Sequence, residues 1–210
     1  MTRAEKPAAA IRRQSFGRLG AQRTVVVLRT GATAMLDPDP AVTATRNVRI
    51  LAIGIPPSEL EDPATFGGET QAQSAAAALA AVVRGEAGDS PVGIVGYGRT
   101  GELAIMLAQA LGDGADRLAL VAVPAPETRI DRDDQQAVLA RVTAKTLIMN
   151  GQQDPDAAAP AARWHHKRLP ASRVEMVPAA AVSSPDGRLP LSAVWARVLS
   201  HVAPGTKAGT

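Results

Sequence analysis

An apolar run, Val92-Gly-Ile-Val95, leads into a glycine-rich turn, Gly96-Tyr-Gly-Arg-Thr-Gly101. An apolar-periodic helix marked by Leu103, Ile105, Met106, Leu107 and Leu111 follows it. Strand, sharp turn and helix in immediate succession mark a parallel α/β unit, because a parallel strand pair needs a helical crossover. The rest of the chain repeats this alternation. Gln14–Leu19 is expected as a short edge strand. Thr24–Leu28, Val48–Ile55, Arg117–Val123, Lys145–Met149 and Arg173–Val177 are expected as further strands, all rich in Val, Ile and Leu. Between them, Glu69–Arg84, Thr100–Leu111, Asp134–Arg141, Ala157–Leu169 and Leu191–Val202 are expected as helices. The fold class that follows is α/β: a mostly parallel sheet of about six or seven strands with helices on both faces. In such sheets a ligand binds beyond the carboxyl ends of the strands.

Composition narrows the class. The 210 residues suffice for one core. We expect a loose tail over 1–12, one domain over 13–204 and a second tail over 205–210. Only 2% of residues are aromatic, so the core must be aliphatic. Net charge is +3, and no dense basic run with interleaved aromatics appears, so nucleic-acid binding is not expected. The absence of cysteine excludes disulfides, thiol catalysis and cysteine metal sites. No apolar run approaches the roughly 20 residues that span a bilayer. Met1–Gln14 carries charges and no apolar h-region, so a cytoplasmic protein without a secretory signal is expected. Neither a metal nor a cofactor is expected.

The glycine turn fits two templates. Gly96-x-Gly98-x-x-Gly101 matches G-x-G-x-x-G, in which glycines let the chain approach a dinucleotide pyrophosphate. That template requires an acidic residue about 20 positions on, at the end of the next strand. Here that strand ends in Pro124-Ala125-Pro126, and Glu127 comes late. The turn also fits the G-x-S-x-G nucleophile elbow, with Gly98 at the apex where the serine would stand. The turn alone leaves both readings open.

Four segments, in order, resemble the α/β-hydrolase family. Val25-Val-Val-Leu-Arg-Thr-Gly31 is similar to the strand and turn that supply the oxyanion hole, with Arg29 where the family usually has histidine. The Gly96–Gly101 turn resembles the elbow. Lys145-Thr-Leu-Ile-Met-Asn-Gly-Gln-Gln-Asp-Pro155 resembles the strand and loop that present the triad acid, with Asp154 in its place. Arg173-Val-Glu-Met-Val-Pro-Ala-Ala-Ala-Val182 resembles the last strand and the loop ending in the triad histidine, with Val182 in its place. The resemblance covers roughly residues 14–202. It implies a minimal core with little or no lid, since only about 20 residues separate the strands ending near Val123 and starting at Lys145.

The departures carry the functional reading. Serine catalysis needs a hydroxyl, a base and an acid that orients the base. Gly98 offers no hydroxyl and Val182 no base; Asp154 remains as the lone catalytic candidate. Ser183 and Ser184 have no visible partner. His165, His166 and His201 are expected on helix surfaces. What survives is a glycine turn at a helix N-terminus, whose backbone N–H groups favour negative charge. The Arg99 N–H and the Thr30–Ala32 turn are candidate oxyanion donors. The ligand-binding candidates are therefore Arg29, Thr30, Gly31, Tyr97, Arg99 and Thr100, with the two guanidinium groups suited to a carboxylate, phosphate or enolate. The alternative places Arg29 and Arg99 in solvent or in pairs with Asp154 or Asp37. Four functions follow as expectations. The first is a non-hydrolytic pseudo-hydrolase binding a small anionic or carbonyl-bearing molecule, its site open or covered by a second copy or a partner protein. The second is a cofactor-independent cyclase, lyase or isomerase working through the oxyanion-hole remnant with Asp154 and Tyr97. The third is a nucleotide-binding protein, and the fourth a hydrolase with a relocated nucleophile.

Overall fold

The computed structural model describes residues 12–18, 20–31, 37–56, 69–126, 136–178 and 187–207. Seven strands build one sheet: β1 (Arg12–Gly17), β2 (Arg23–Thr30), β3 (Val48–Ile55), β4 (Val92–Tyr97), β5 (Ala115–Val121), β6 (Lys145–Gly151) and β7 (Ser172–Val177). Their spatial order is β1-β3-β2-β4-β5-β6-β7. Only β1 runs antiparallel, against β3; every other neighbour pair is parallel. The α/β class and the strand count expected from sequence are observed.

The period of two along each strand divides the core. Val26, Leu28, Leu51, Ile53, Ile94, Leu118 and Leu120 face the helices α2 (Glu69–Ala87) and α3 (Gly101–Leu111), together with Ala162 of α4 (Ala159–His166). Val25, Val27, Ile50, Val95, Ala119, Val121, Leu147 and Met149 face α5 (Leu191–Val202). Central strands buried on both faces require apolar residues throughout, and this is why β2 reads Val-Val-Val-Leu without alternation. α5 supplies Val194, Trp195, Val198, Leu199 and Val202 at helical spacing to the second face. Each fully buried side chain of this size stabilises by about 1.5–3 kcal/mol.

A short helix, α1 (Pro40–Ala44), was not anticipated, although its signal is present. Asp39 caps it, accepting from the Val42 N–H at 3.1 Å, and Pro40 follows in the first turn. It anchors α5 through Thr43, whose hydroxyl accepts from the Trp195 indole N–H at 2.9 Å and donates to Asp37 at 2.8 Å.

Two boundaries differ from expectation. β1 begins at Arg12, one residue inside the expected tail, because its edge is paired to Gly54 of β3. The expected C-terminal tail is partly docked: the Asn47 N–H donates to the Thr206 carbonyl at 2.6 Å and Lys207 bridges Arg46. Between β5 and β6, residues 136–140 form one helical stretch. Residues 127–135 lie outside the described residues, and the expectation of a missing lid rests partly on them.

Candidate functional site

β4 ends at Tyr97, a 3-10 turn covers Gly98–Thr100, and α3 begins at Gly101. The three motif glycines have different jobs. A Cβ on Gly96 would lie 2.6 Å from the Ala104 Cβ and 2.8 Å from the Gly101 Cα. One on Gly101 would lie 2.4 Å from both γ-carbons of Val123. These two allow α3 to press against β4 and the end of β5. Gly98 instead has φ +58° and nothing within 4 Å of where its Cβ would be. Its constraint is conformational, since the left-handed region disfavours side chains, and the space above it is open.

Thr100, expected among the ligand contacts, is fully buried and does not belong to them. Its hydroxyl lies 2.8 Å from the Leu28 carbonyl and 2.9 Å from the Tyr97 carbonyl, and accepts from the Tyr97 N–H at 3.1 Å. It ties the turn to β2.

The loop after β6 carries Asp154, which is 3% exposed. Its carboxylate accepts from three backbone N–H groups: Ala157 at 2.9 Å and Asp156 at 3.1 Å on one oxygen, and Leu189 at 3.2 Å on the other. A carboxylate has about four acceptor positions. Asp154 thus clamps its own loop to the segment preceding α5 and keeps about one lone pair for a further donor.

Elbow and acid loop meet across a cavity of about 370 Å³ lined by Tyr97, Gly98, Arg99, Ala122, Pro124, Ala125, Asp154, Pro155, Asp156 and Arg188. Of the residues singled out in the sequence, Tyr97, Gly98, Arg99 and Asp154 line this cavity. The sequence reading missed Arg188, which forms an ion pair with Asp156 across 32 positions at the cavity rim. It also missed Ala122, whose φ of +51° is the one left-handed value among described residues other than glycine. The Ala122 N–H donates to Met149 at 2.9 Å, and the kinked backbone leads straight into Val123, which packs on Gly101. A strained residue lining a cavity is a frequent companion of function. The charged lining cancels, Arg99 and Arg188 against Asp154 and Asp156.

Other expected site residues fall elsewhere. Arg29, Thr30 and Gly31 stand at the end of β2 and do not line this cavity. Within the Thr30–Ala32 turn, expected to offer an oxyanion donor, the Gly31 N–H donates to the Ile55 carbonyl at 2.9 Å and continues the sheet ladder, while Ala32 lies outside the described residues. Val182, Ser183 and Ser184 lie outside the described residues. His166 is exposed, as expected, but His165 and His201 are buried. His165 accompanies Ala161 and Ala162 on the inner face of α4, its Nδ1 3.0 Å from the Ala161 carbonyl. Burial pushes its pKa down to about 4, with the Ala161 carbonyl opposing the shift. His201 Nε2 lies 2.9 Å from the Lys145 carbonyl and 3.1 Å from the Leu118 carbonyl, and burial lowers its pKa as well. Both histidines are held by backbone carbonyls, and neither lines the cavity. The one Ser–His contact among described residues, His166 with Ser172 at 2.9 Å, is exposed and at the amino end of β7, opposite the elbow. Among the described residues no three His, Cys, Asp or Glu side chains gather to hold a metal. No described helix is long and apolar enough to cross a membrane.

No known family's sequence profile matches the chain, and no curated protein matches it by sequence. Solved structures do match. A cold-adapted esterase from an Arctic intertidal metagenomic library is similar with a TM-score of 0.63 at 12% identity, over 92% of this chain and 97% of that one. An α/β hydrolase enzyme from a Medee basin deep-sea metagenome is similar with a TM-score of 0.62 at 13% identity, over 95% and 96%. A lipase-esterase related protein from Clostridium acetobutylicum is similar with a TM-score of 0.61 at 9% identity, over 91% and 97%. Coverage near the full length of both partners extends the likeness beyond one βαβ unit to the whole sheet and its helices. With its strand order, its strand–turn–helix at Gly98 and this end-to-end likeness, the chain has the α/β-hydrolase fold.

Proposed function

We propose that this protein is a non-hydrolytic member of the α/β-hydrolase fold that binds a small carbonyl-bearing molecule above Gly98. The observation that carries this reading is the elbow apex. It keeps the left-handed backbone of a strand-to-helix turn, has no side chain, and opens into a cavity large enough for a small ligand. The first residues of the helical segment, Gly98 and Arg99, line that cavity and bring the positive end of the helix dipole to it. The cancelled charge of the lining favours a neutral polarised carbonyl or a single carboxylate over a phosphate ester, because net attraction for a multiply charged anion is absent. Gly98 and Val182 leave no hydroxyl and no imidazole at the positions that hydrolysis by this fold uses.

A second reading has one observation in its favour. Tyr97 and Asp154 line the same cavity, so a proton donor or acceptor stands beside the bound carbonyl, as a cofactor-free isomerase or lyase requires. The nucleotide reading has weaker support. The stretch after β5 is Ala122-Val-Pro-Ala-Pro126, with no carboxylate for a ribose.

Fluorophosphonate labelling with mass spectrometry tests the non-hydrolytic half: no adduct is expected, and stoichiometric modification of any Ser or Thr overturns it. Binding of acetamide and acetate by the parent and by Gly98→Val tests the other half. The valine should abolish binding by filling the space; a variant that binds like the parent moves the function to another surface.

A further inference from the structure

The sheet has two edges, and one of them is its own complement. β7 is the last strand, and no described strand pairs with its outer side. Its register on β6 fixes which main-chain groups face outward. The Thr146 N–H donates to the Ala171 carbonyl at 2.8 Å and the Gln152 N–H to the Val177 carbonyl at 2.9 Å. Alternate residues of a strand direct their N–H and C=O to alternate sides, so Arg173 and Glu175 also bond inward to β6. Ser172, Val174 and Met176 therefore turn theirs to the outer edge. Side chains alternate too. Arg173 and Glu175 share one sheet face, 61% and 32% exposed, while Val174 and Met176 share the other and pack partly against the α2–α3 core alongside Trp164.

We propose that β7 pairs antiparallel with β7 of a second copy of this chain, about a two-fold axis at Val174, to form one continuous fourteen-stranded sheet. In that register Val174 faces Val174 and Ser172 faces Met176. These are the residues with outward N–H and C=O groups, so they form the hydrogen-bonded pairs. Arg173 then faces Glu175 of the second copy, twice by symmetry. Both are non-hydrogen-bonded pairs, in which Cα atoms approach to about 4.5 Å and side chains interact most closely. The sequence order Arg-Val-Glu thus meets its own reverse with every charge opposed. The intrachain Arg173–Glu175 pair, at 3.3 Å, already holds both groups on that face. β1, the other edge, carries Arg12 and Arg13 and no acidic residue, so it has no such self-complement.

Sedimentation equilibrium of the full chain tests this, with Arg173→Glu, Glu175→Arg, the double swap and an equimolar mixture of the two single variants. The parent is expected to approach twice the chain mass as concentration rises. Each single variant opposes like charges at both symmetric pairs and should raise the dimer dissociation constant about tenfold or more. The double swap restores it. The mixture restores it too, since a chain with two glutamates at 173 and 175 then faces a chain with two arginines. Recovery in the mixture cannot come from misfolded chains, and circular dichroism checks each variant alone. The proposal is overturned by a parent that stays monomeric to its solubility limit. It is equally overturned by single variants that dimerise like the parent, or by a mixture that stays monomeric.

Discussion

The carboxyl ends of β4 and β6 face each other across one cavity, and they contribute opposite things to it. The β4 end keeps its backbone: Gly98 holds φ +58° at the apex of a turn that has no reactive side chain. The β6 end contributes a side chain: Asp154, whose carboxylate accepts from three backbone N–H groups. The contrast separates what folding uses from what hydrolysis uses. Asp154 closes a loop and fixes Arg188 beside Leu189, so the fold needs it with or without an imidazole. A side chain at the apex would touch nothing within 4 Å, and glycine there avoids the left-handed strain.

The sharpest way to break this comparison is to remove the clamp. Asp154→Ala strands three buried N–H groups, each costing about 1–3 kcal/mol. A loss of about 3–5 kcal/mol in denaturant unfolding is expected, with loosening of the segment before α5. A loss below about 1 kcal/mol would make Asp154 a functional group held in reserve rather than a structural one.

Acid should weaken the fold through His165. Its folded pKa of about 4 lies below the unfolded value of about 6.5. The unfolded chain therefore binds a proton that the folded chain does not. Stability from this group is full above pH 6.5 and falls as pH drops towards 4, by about 3 kcal/mol at most. His201, shifted in the same direction, adds to it. Unfolding measured from pH 7 to 4 should show this slope, and His165→Leu should flatten it. An unchanged slope in the variant would mean that protonated His165 finds a partner.

Crowding at the elbow sharpens the glycine assignments. Gly96→Ala pushes a methyl against Ala104 and the α3 backbone, and should cost about 2 kcal/mol, the range of overpacked cores. Gly98→Ser meets only open space and pays the left-handed penalty of about 1 kcal/mol. It should hydrolyse p-nitrophenyl acetate no faster than buffer does, because none of the three histidines lines the cavity to take its proton. A tolerant Gly96 paired with an intolerant Gly98 would reverse the roles given to them.

Much of this was legible in the chain. Unbroken Val/Ile/Leu runs marked β2, β3 and β4, and the acid-loop segment placed Asp154 opposite Gly98. Other features were hidden for identifiable reasons. The pairing of Asp156 with Arg188 is a tertiary contact that no local pattern encodes. In the Thr30–Ala32 turn, the sequence does not tell that the Gly31 N–H extends the ladder to Ile55. The burial of His165 and His201 has a signal in the sequence. Ala161, Ala162, His165 and Leu169 recur at helical spacing, as do Val194, Val198 and His201, so both histidines lie on the apolar stripe of their helix. Treating histidine as a surface residue overrode that periodicity. Thr100 lies beside the apex in the sequence, but its hydroxyl is held by Tyr97 within the turn and by the Leu28 carbonyl beneath it, and the Leu28 contact is tertiary.

The central claim is that the Gly98 turn binds a carbonyl and does not attack it. The most direct test is an amide chemical-shift titration of the protein with acetamide, acetate and ethyl acetate. The account predicts saturable shifts centred on the Gly98 and Arg99 amides, with Asp154–Asp156 following, and ethyl acetate recovered intact. Silent Gly98 and Arg99 amides with all three compounds, or ethyl acetate consumed during the titration, would contradict it.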